Sequence, residues 1–461
     1  MKKTVIYTIT GIISPLLMLV LLPVYLKFLS PTEYIVIALT NSFLAIFAIF
    51  FNLKTEQAYR TIYFYETKNK PKQLALFQTV FSFNVLCSLV WFGLFLLFGK
   101  VIFSELFKND ISFFPYSYLI FISFLIGNLN NLYFIYLQNN SKVKSYSFLV
   151  LFLALATHGL QLSCVFIFKT TFFWFVSSAL IANGFLFLYL FLSNRTLFSF
   201  SISKTILNEA IHFSWPFLPF LVLYSIESQM DRFFIERFST ISELARYVVL
   251  TSIVGAVYTF FNSIDNAIRP EIYLYLGEKK NAFQNKIQEQ FDFYLWIGLV
   301  SFSFLIAFGI HIDWFLQNEK YVGTSTYFIP MALAFFPLIA SRFLALQLLY
   351  DQKIAKLNGF ILIKILLMSG LFYLFIPKLG INGAILAIGI SNVFNLLFFY
   401  GIDERKIIPS KKVLRFIFGF LTLNLFLLFN QETKFVSLIA IGQCLFFGIV
   451  FILFYRKKLT V

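Results

Sequence analysis

Apolar residues run along this chain in long unbroken blocks, not in the narrow stripes of a soluble fold. Fourteen blocks can be delimited, at about 5–29, 34–53, 75–99, 113–137, 146–168, 172–193, 211–235, 247–267, 292–312, 325–350, 355–376, 380–401, 413–430 and 435–455. Each is close to the ~20 residues a helix needs to cross a hydrocarbon core. Lipid offers the backbone no hydrogen-bond partner, so such blocks span as helices. The expected fold class is an all-α integral membrane protein with about 14 transmembrane helices. Prolines punctuate three blocks: Pro15 and Pro23 in the first, Pro216 and Pro219 in the seventh, Pro330 and Pro337 in the tenth. Such residues kink helices, which suits a protein that opens and closes and is also common in static membrane proteins.

Composition sharpens this picture. Of 461 residues, 59% are hydrophobic, 21% aromatic and 13% charged, against about 25% charged in an average soluble domain. The net charge of +16 raises the question of nucleic acid. The Lys and Arg residues are scattered through short connectors rather than gathered on one segment, so no nucleic-acid partner is expected. Membrane lipids with an anionic inner surface are the expected partner instead. Cys87, Cys164 and Cys444 each lie inside an apolar block without metal-ligand spacing, so neither a disulfide framework nor a metal site is expected. Met1-Lys2-Lys3 precedes a run too long for a signal peptide and reads as the start of a retained helix.

Charge also orients the chain. With the N-terminus inside, 25 of the 37 Lys and Arg residues fall on the cytoplasmic side and 10 outside, while Arg342 and Lys364 fall within helices. That asymmetry follows the positive-inside rule and, with an even span number, puts both termini in the cytoplasm. The longest inner connectors, roughly 54–74, 194–210 and 269–291, are polar; within the last, Gly277–Gln290 has the pattern of a surface-lying amphipathic helix or a solvated connector. No connector has room for a soluble catalytic domain.

The stretch Phe213–Tyr275 reads as one spanning helix, a charged turn and a second helix ending at Arg269-Pro270. A paler copy lies near the N-terminus. Ala58-Tyr59-Arg60-Thr61-Ile62-Tyr63-Phe64-Tyr65 echoes Ala267-Ile268-Arg269-Pro270-Glu271-Ile272-Tyr273-Leu274-Tyr275, and Tyr34-Ile35-Val36 echoes Tyr247-Val248-Val249. Internal repeats of this kind mark transporters. The echo makes Arg60 and Arg269 a candidate pair at the inner rim.

Several charges lie where lipid penalises them by ~2.5–3.5 kcal/mol. Lys364 is about ten residues into the eleventh block and Arg342 lies in the inner part of the tenth. Glu227 and Asp231 share one face of the seventh, Arg232 adjoins them, and Asp265 precedes Arg269 in the eighth. Lys364, Arg342, Arg269, Arg60 and Arg232 are candidate contacts for an anionic cargo, since guanidinium and ammonium groups pair well with phosphate. Glu227, Asp231 and Asp265 are candidates for ion coupling or packing. The plainer alternative is that all these groups pair with one another and only fix helix packing. His158, His212 and His311 are isolated in sequence, and no catalytic constellation or P-loop is present, so ATP is not the direct energy source and no cofactor is expected.

Three stretches stand out together: Trp215-Pro216 with Asp231-Arg232 and Arg269-Pro270; Leu374-Phe375-Ile376-Pro377-Lys378-Leu379-Gly380-Ile381-Asn382-Gly383-Ala384; and Phe28-Leu29-Ser30-Pro31-Thr32-Glu33-Tyr34. In their order and spacing they resemble the Wzx-type polysaccharide/O-antigen flippases of the multidrug/oligosaccharidyl-lipid/polysaccharide (MOP) exporter superfamily. In the third, Ser30 and Ile35 stand where the family more usually has Gly. The resemblance implies an N-terminal lobe over 1–200, a C-terminal lobe over 201–405 and an extra helix pair over 406–461. It further implies a non-enzymatic flippase of the bacterial inner membrane. That flippase moves a polyprenyl-diphosphate-linked oligosaccharide outward, driven by membrane potential or a coupled ion, alongside a polysaccharide polymerase and chain-length regulator. The nearest alternative is a cation-coupled drug exporter of the same superfamily, which would want deep carboxylates in the first six helices; none is evident there. A peptidoglycan-precursor flippase is a second sibling. A membrane-embedded polymerase or acyltransferase would need a large outer loop or a His-rich site.

Overall fold

The computed structural model describes residues 2–65, 70–108, 111–166, 172–277, 281–350, 354–402, 408–429 and 435–459. Lys68, Lys169, Lys279, Lys280, Lys353, Arg405, Lys406 and Lys434, which enter the orientation argument, lie outside them, as does the expected boundary at 405/406.

The described chain is helical nearly throughout: α1 (Lys2–Phe28), α2 (Pro31–Asn52), α3 (Thr55–Tyr65), α4 (Lys70–Leu106), α5 (Tyr118–Asn139), α6 (Val143–Phe166), α7 (Phe172–Ser193) and α8 (Lys204–Ser214), then α9 (Leu218–Phe238), α10 (Ile241–Gly277), α11 (Asn281–Gly309), α12 (Ile312–Leu316), α13 (Phe328–Tyr350), α14 (Ile354–Ile402), α15 (Ser410–Phe429) and α16 (Phe435–Leu459). Among the described residues, ten helical stretches are long and apolar enough to cross a membrane, with Leu16–Phe28 and Val436–Ile452 as shorter apolar helices.

Packing divides the chain into two compact units. One comprises Met1–Val20 and Phe28–Arg237, the other Leu21–Lys27 and Phe238–Val461. The division follows α9, whereas the sequence reading places the lobe boundary at 200/201. The first unit is built around Tyr59, Phe77, Phe81, Tyr133 and Phe198, whose rings meet edge to face and stacked at 5.0–6.4 Å. A polar ladder crosses it: Asn130 Nδ2 donates to the Asn183 carbonyl at 3.1 Å, and Asn183 Nδ2 to Ser123 Oγ at 3.2 Å. The second unit has its own aromatic core, with Phe360 stacked on Phe398 at 3.7 Å and Phe336 on Phe420 at 3.8 Å.

Two helices start with a related hydroxyl–glutamate contact, α2 in the first unit and α10 in the second. Ser30 Oγ accepts from the Glu33 backbone N–H at 3.2 Å while the Ser30 N–H donates to Glu33 Oε2 at 2.8 Å, a reciprocal capping box. At α10, Glu243 N–H donates to Thr240 Oγ1 at 3.2 Å, and Ser239 Oγ donates to the Glu243 carboxylate. Lys27-Phe28-Leu29-Ser30-Pro31-Thr32-Glu33 thus matches Arg237-Phe238-Ser239-Thr240-Ile241-Ser242-Glu243. From cap to arginine, Ser30 to Arg60 and Thr240 to Arg269 differ in length by one residue. The copies differ in between. The first breaks after Asn52, where Leu53 (φ 45) and Lys54 (φ 55) take left-handed backbone and α3 starts afresh; the second is one continuous helix.

The expected long connectors fold in part as helix, the one at 194–210 from Lys204. Within 54–74, Thr55–Tyr65 forms α3, because Ala58, Tyr59 and Ile62 give it an apolar face to bury, and α4 starts at Lys70. The seventh block is not one kinked helix: α8 passes through a 3-10 turn at Trp215–Phe217 before α9 begins. α10 runs past Arg269-Pro270 to Gly277, held by the buried stripe Ile268, Ile272 and Leu276. The expected surface helix at Gly277–Gln290 is, from Asn281, the first part of α11, anchored by buried Ile287 and Phe291; residues 278–280 lie outside the described part.

The eleventh and twelfth blocks are joined in α14, whose backbone turns at Gly380 (φ 55, ψ −129). A Cβ there would lie 2.7 Å from Glu243 Oε1, and one at Gly383 would lie 2.4 Å from the Phe375 carbonyl oxygen. Gly380→Ala is expected to destabilise the protein by about 1–3 kcal/mol, the cost of a side chain in that backbone region. A lowered thermal midpoint in detergent checks this, with Gly370→Ala, which meets open space, as the control.

Candidate functional site

In the first unit, α9 carries three of the sequence-derived candidates. Glu227 and Asp231 are half-buried, one helical turn apart. Arg232 Nη1 donates to Ser42 Oγ of α2 at 2.6 Å and to Gln229 Oε1 at 3.1 Å, while its backbone N–H donates to Asp231 Oδ1 at 2.9 Å. Ser42 is fully buried and itself bonds the Ala38 carbonyl. Arg232 therefore ties α9 to α2. Its Nε is buried without a hydrogen-bond partner among the described residues.

Arg60 is exposed on α3, whose opposite face, Ala58, Tyr59 and Ile62, is packed into the unit's core. Helical spacing forces this division: the buried residues take one stripe and leave Gln57 and Arg60 on the other.

Sequence reasoning missed two buried carboxylates here. Glu56 is 5% exposed, accepts from Asn131 Nδ2 at 3.2 Å and lies 3.7 Å from Lys54 Nζ. It sits beside the α2–α3 break, where Thr55 Oγ1 donates to Asn84 Oδ1 at 3.0 Å and Lys54 N–H to Asn52 Oδ1 at 2.9 Å. The available signal was the apolar pattern after Glu56, which marks the stretch as a packed helix rather than a solvated loop. Glu236 of α9 is 2% exposed; its signal was the four-residue spacing from Arg232.

In the second unit, Asp265 of α10 and Arg342 of α13 come together. Arg342 Nε donates to Asp265 Oδ2 at 3.0 Å, and Arg342 Nη2 bonds both Asp265 and Asn262. Tyr294 OH of α11 donates to the other carboxylate oxygen, Oδ1, at 2.6 Å. The guanidinium carbon lies 4.2 Å from the centre of the Tyr258 ring, within cation–π range. The gap that Arg342 borders with Tyr258 and Phe261 holds only about 10 Å³, about one water. In this conformation Arg342 is committed to Asp265.

Arg269 is half-buried on α10 with its Nε lacking a hydrogen-bond partner among the described residues. Lys364 is 4% exposed and belongs to the packed stripe of α14 that runs Leu357, Phe360, Ile361, Lys364 and Met368. Its neighbours on the other side, Leu362, Ile363 and Leu366, face outward. The ammonium thus lies on the inward side of an apolar helix. Among the described residues no group of His, Cys, Asp and Glu is arranged to hold a metal ion.

No protein-family model matches the chain, and no curated protein matches it. Solved structures do. A lipid II flippase, MurJ, in an inward closed conformation is 17% identical, covers 99% of this chain over 98% of its own and gives a TM-score of 0.68. An outward-facing multidrug resistance MATE family transporter of the MOP superfamily is 14% identical, covers 90% of this chain over 96% of its own, and gives 0.57. A mutant of the Vibrio cholerae MATE transporter VcmN is 14% identical, covers 87% over 94% and also gives 0.57. A fold this large, matched over nearly its full length in several solved structures, leads to one conclusion: the chain has the many-helix fold shared by these flippase and MATE transporter structures.

Proposed function

We propose that this protein flips a polyprenyl-diphosphate-linked oligosaccharide repeat unit from the cytoplasmic to the outer leaflet of a bacterial inner membrane by alternating access. The observation that carries this reading is Lys364, an ammonium 4% exposed on the inward face of an apolar helix. With Arg60 and Arg269 at matched positions of the two repeats, the basic groups suit a cargo bearing phosphate. The lipid II flippase among the similar structures supports a lipid-linked cargo. In this reading the chain has fourteen spans with both termini cytoplasmic. Lobes at 1–200 and 201–405 alternate access, the helix pair over 406–461 accommodates the lipid tail, and a polymerase and chain-length regulator act downstream.

A diphosphate carries about two negative charges, so outward movement across 100 mV, inside negative, gains ~4.6 kcal/mol. In proteoliposomes holding a fluorescent polyprenyl-diphosphate-linked disaccharide, an imposed inside-negative potential is expected to speed outward transfer. A rate indifferent to potential but raised by a proton or sodium gradient assigns the drive to a coupled ion. Transfer no faster than in protein-free liposomes overturns the flippase reading. One observation favours a second reading: buried Glu56 is a carboxylate of the kind a cation-coupled exporter needs. Ethidium efflux from the same liposomes, abolished in Glu56→Gln, would decide for it.

A further inference from the structure

Trp215-Pro216 has no role in the reading above, yet the structure gives it a defined setting. The helix α8 ends at Ser214, which is buried and donates from Oγ to the Lys54 carbonyl at 3.1 Å, pinning this end to the α2–α3 break. Ala210, one turn earlier, is fully buried. With that stripe turned inward, Asn208, His212 and Trp215 fall on the opposite stripe at i, i+4 and i+7, and Glu209 flanks them. All four are exposed, Trp215 by 64%. Together with Ile211 they border a shallow, open recess of about 540 Å³.

We infer that this face of α8 is a saccharide-binding platform, the place where the sugar head of the lipid-linked cargo rests. The inference depends on the flippase reading and deepens it. The lining holds no Lys or Arg, so it offers little to a diphosphate. An amide, a carboxylate and an imidazole supply both donors and acceptors for sugar hydroxyls. The indole offers a broad flat face for the apolar C–H side of a pyranose ring, with its N–H free to hydrogen-bond. Arginines serve the phosphates, and α8 serves the sugar. A Trp that only anchors α8 at the membrane interface, where such residues concentrate, would make no distinction between sugars and bare diphosphate.

The test uses the full chain in nanodiscs and five probes: citronellyl diphosphate, and its derivatives bearing glucose, galactose, rhamnose or N-acetylglucosamine. The wild type is expected to bind at least one glycosylated probe about tenfold more tightly than the bare one. Trp215→Ala removes that gain and leaves affinity for bare citronellyl diphosphate unchanged, while Trp215→Phe keeps most of it. Asn208→Ala and His212→Ala, on the exposed stripe, give the same pattern independently of any folding defect at position 215. The platform is overturned if the wild type gains nothing from any sugar, if Trp215→Ala weakens bare and glycosylated probes alike, or if it spares the gain. Wild-type protein that binds none of the five probes defeats the flippase reading itself, and the platform with it.

Discussion

Asp265→Ala is expected to lower the stability of the purified protein by about 3–5 kcal/mol, the cost of leaving a buried charge without its partner. The carboxylate meets Arg342 through two guanidinium nitrogens and accepts from Tyr294 OH at 2.6 Å. Asp265 is 6% exposed, and its removal strands the guanidinium against the Tyr258 ring without its carboxylate partner. Arg342→Met strands the carboxylate and should cost a similar amount. The double variant Asp265→Ala/Arg342→Met removes both charges and is expected to recover most of the loss, since an apolar replacement of a buried pair is often near neutral. Thermal unfolding of the four proteins in one detergent gives the coupling energy. Additive losses in the double variant would show that the pair is not the interaction seen here. Transport measured on the double variant then separates packing from function: full activity in a stable protein assigns Asp265 and Arg342 to structure alone.

Lys364→Met keeps the length of the side chain and deletes its charge. If the ammonium meets the cargo's phosphate during transport, the loss is expected to be about 2 kcal/mol or more, a roughly thirtyfold fall in flipping rate per folded molecule. Lys364→Arg, which keeps the charge, should retain more activity than Lys364→Met. The readout is initial transfer rate in proteoliposomes, normalised to correctly folded protein. Normal flipping by Lys364→Met would remove this residue from the cargo path. In the structure the ammonium is enclosed on the packed stripe of α14, so the contact belongs to a state in which that stripe opens.

Much of the fold was legible because lipid imposes a length on every apolar block, and the described residues of the blocks are helical apart from short turns. What was not legible was where helices join or break. A block boundary marks where polarity rises, and polar residues continue a helix as readily as they end one. Thus α10 extends through Arg269-Pro270, and α4 starts within a stretch read as connector. The break at Leu53 and Lys54 depends on backbone conformation that neither residue type announces. The site divides in the same way. The echo between Arg60 and Arg269 was readable because it is a pattern of residue types. The Asp265–Arg342 pair was not, since 77 residues separate the partners and no periodicity joins them. Glu56 escaped notice because its setting, not its neighbours in sequence, makes it buried.

The hydroxyl–glutamate contacts at Ser30–Glu33 and Thr240–Glu243 bear on how the two helices are related. Two helices that begin with a hydroxyl accepting from a glutamate N–H, and reach an arginine after nearly the same number of residues, are built on one pattern. They differ in between: α10 is an unbroken rod, while the first copy has a joint between its cap and its arginine. Transplanting Asn52–Thr55 into the matching position of α10 would give the second copy that joint.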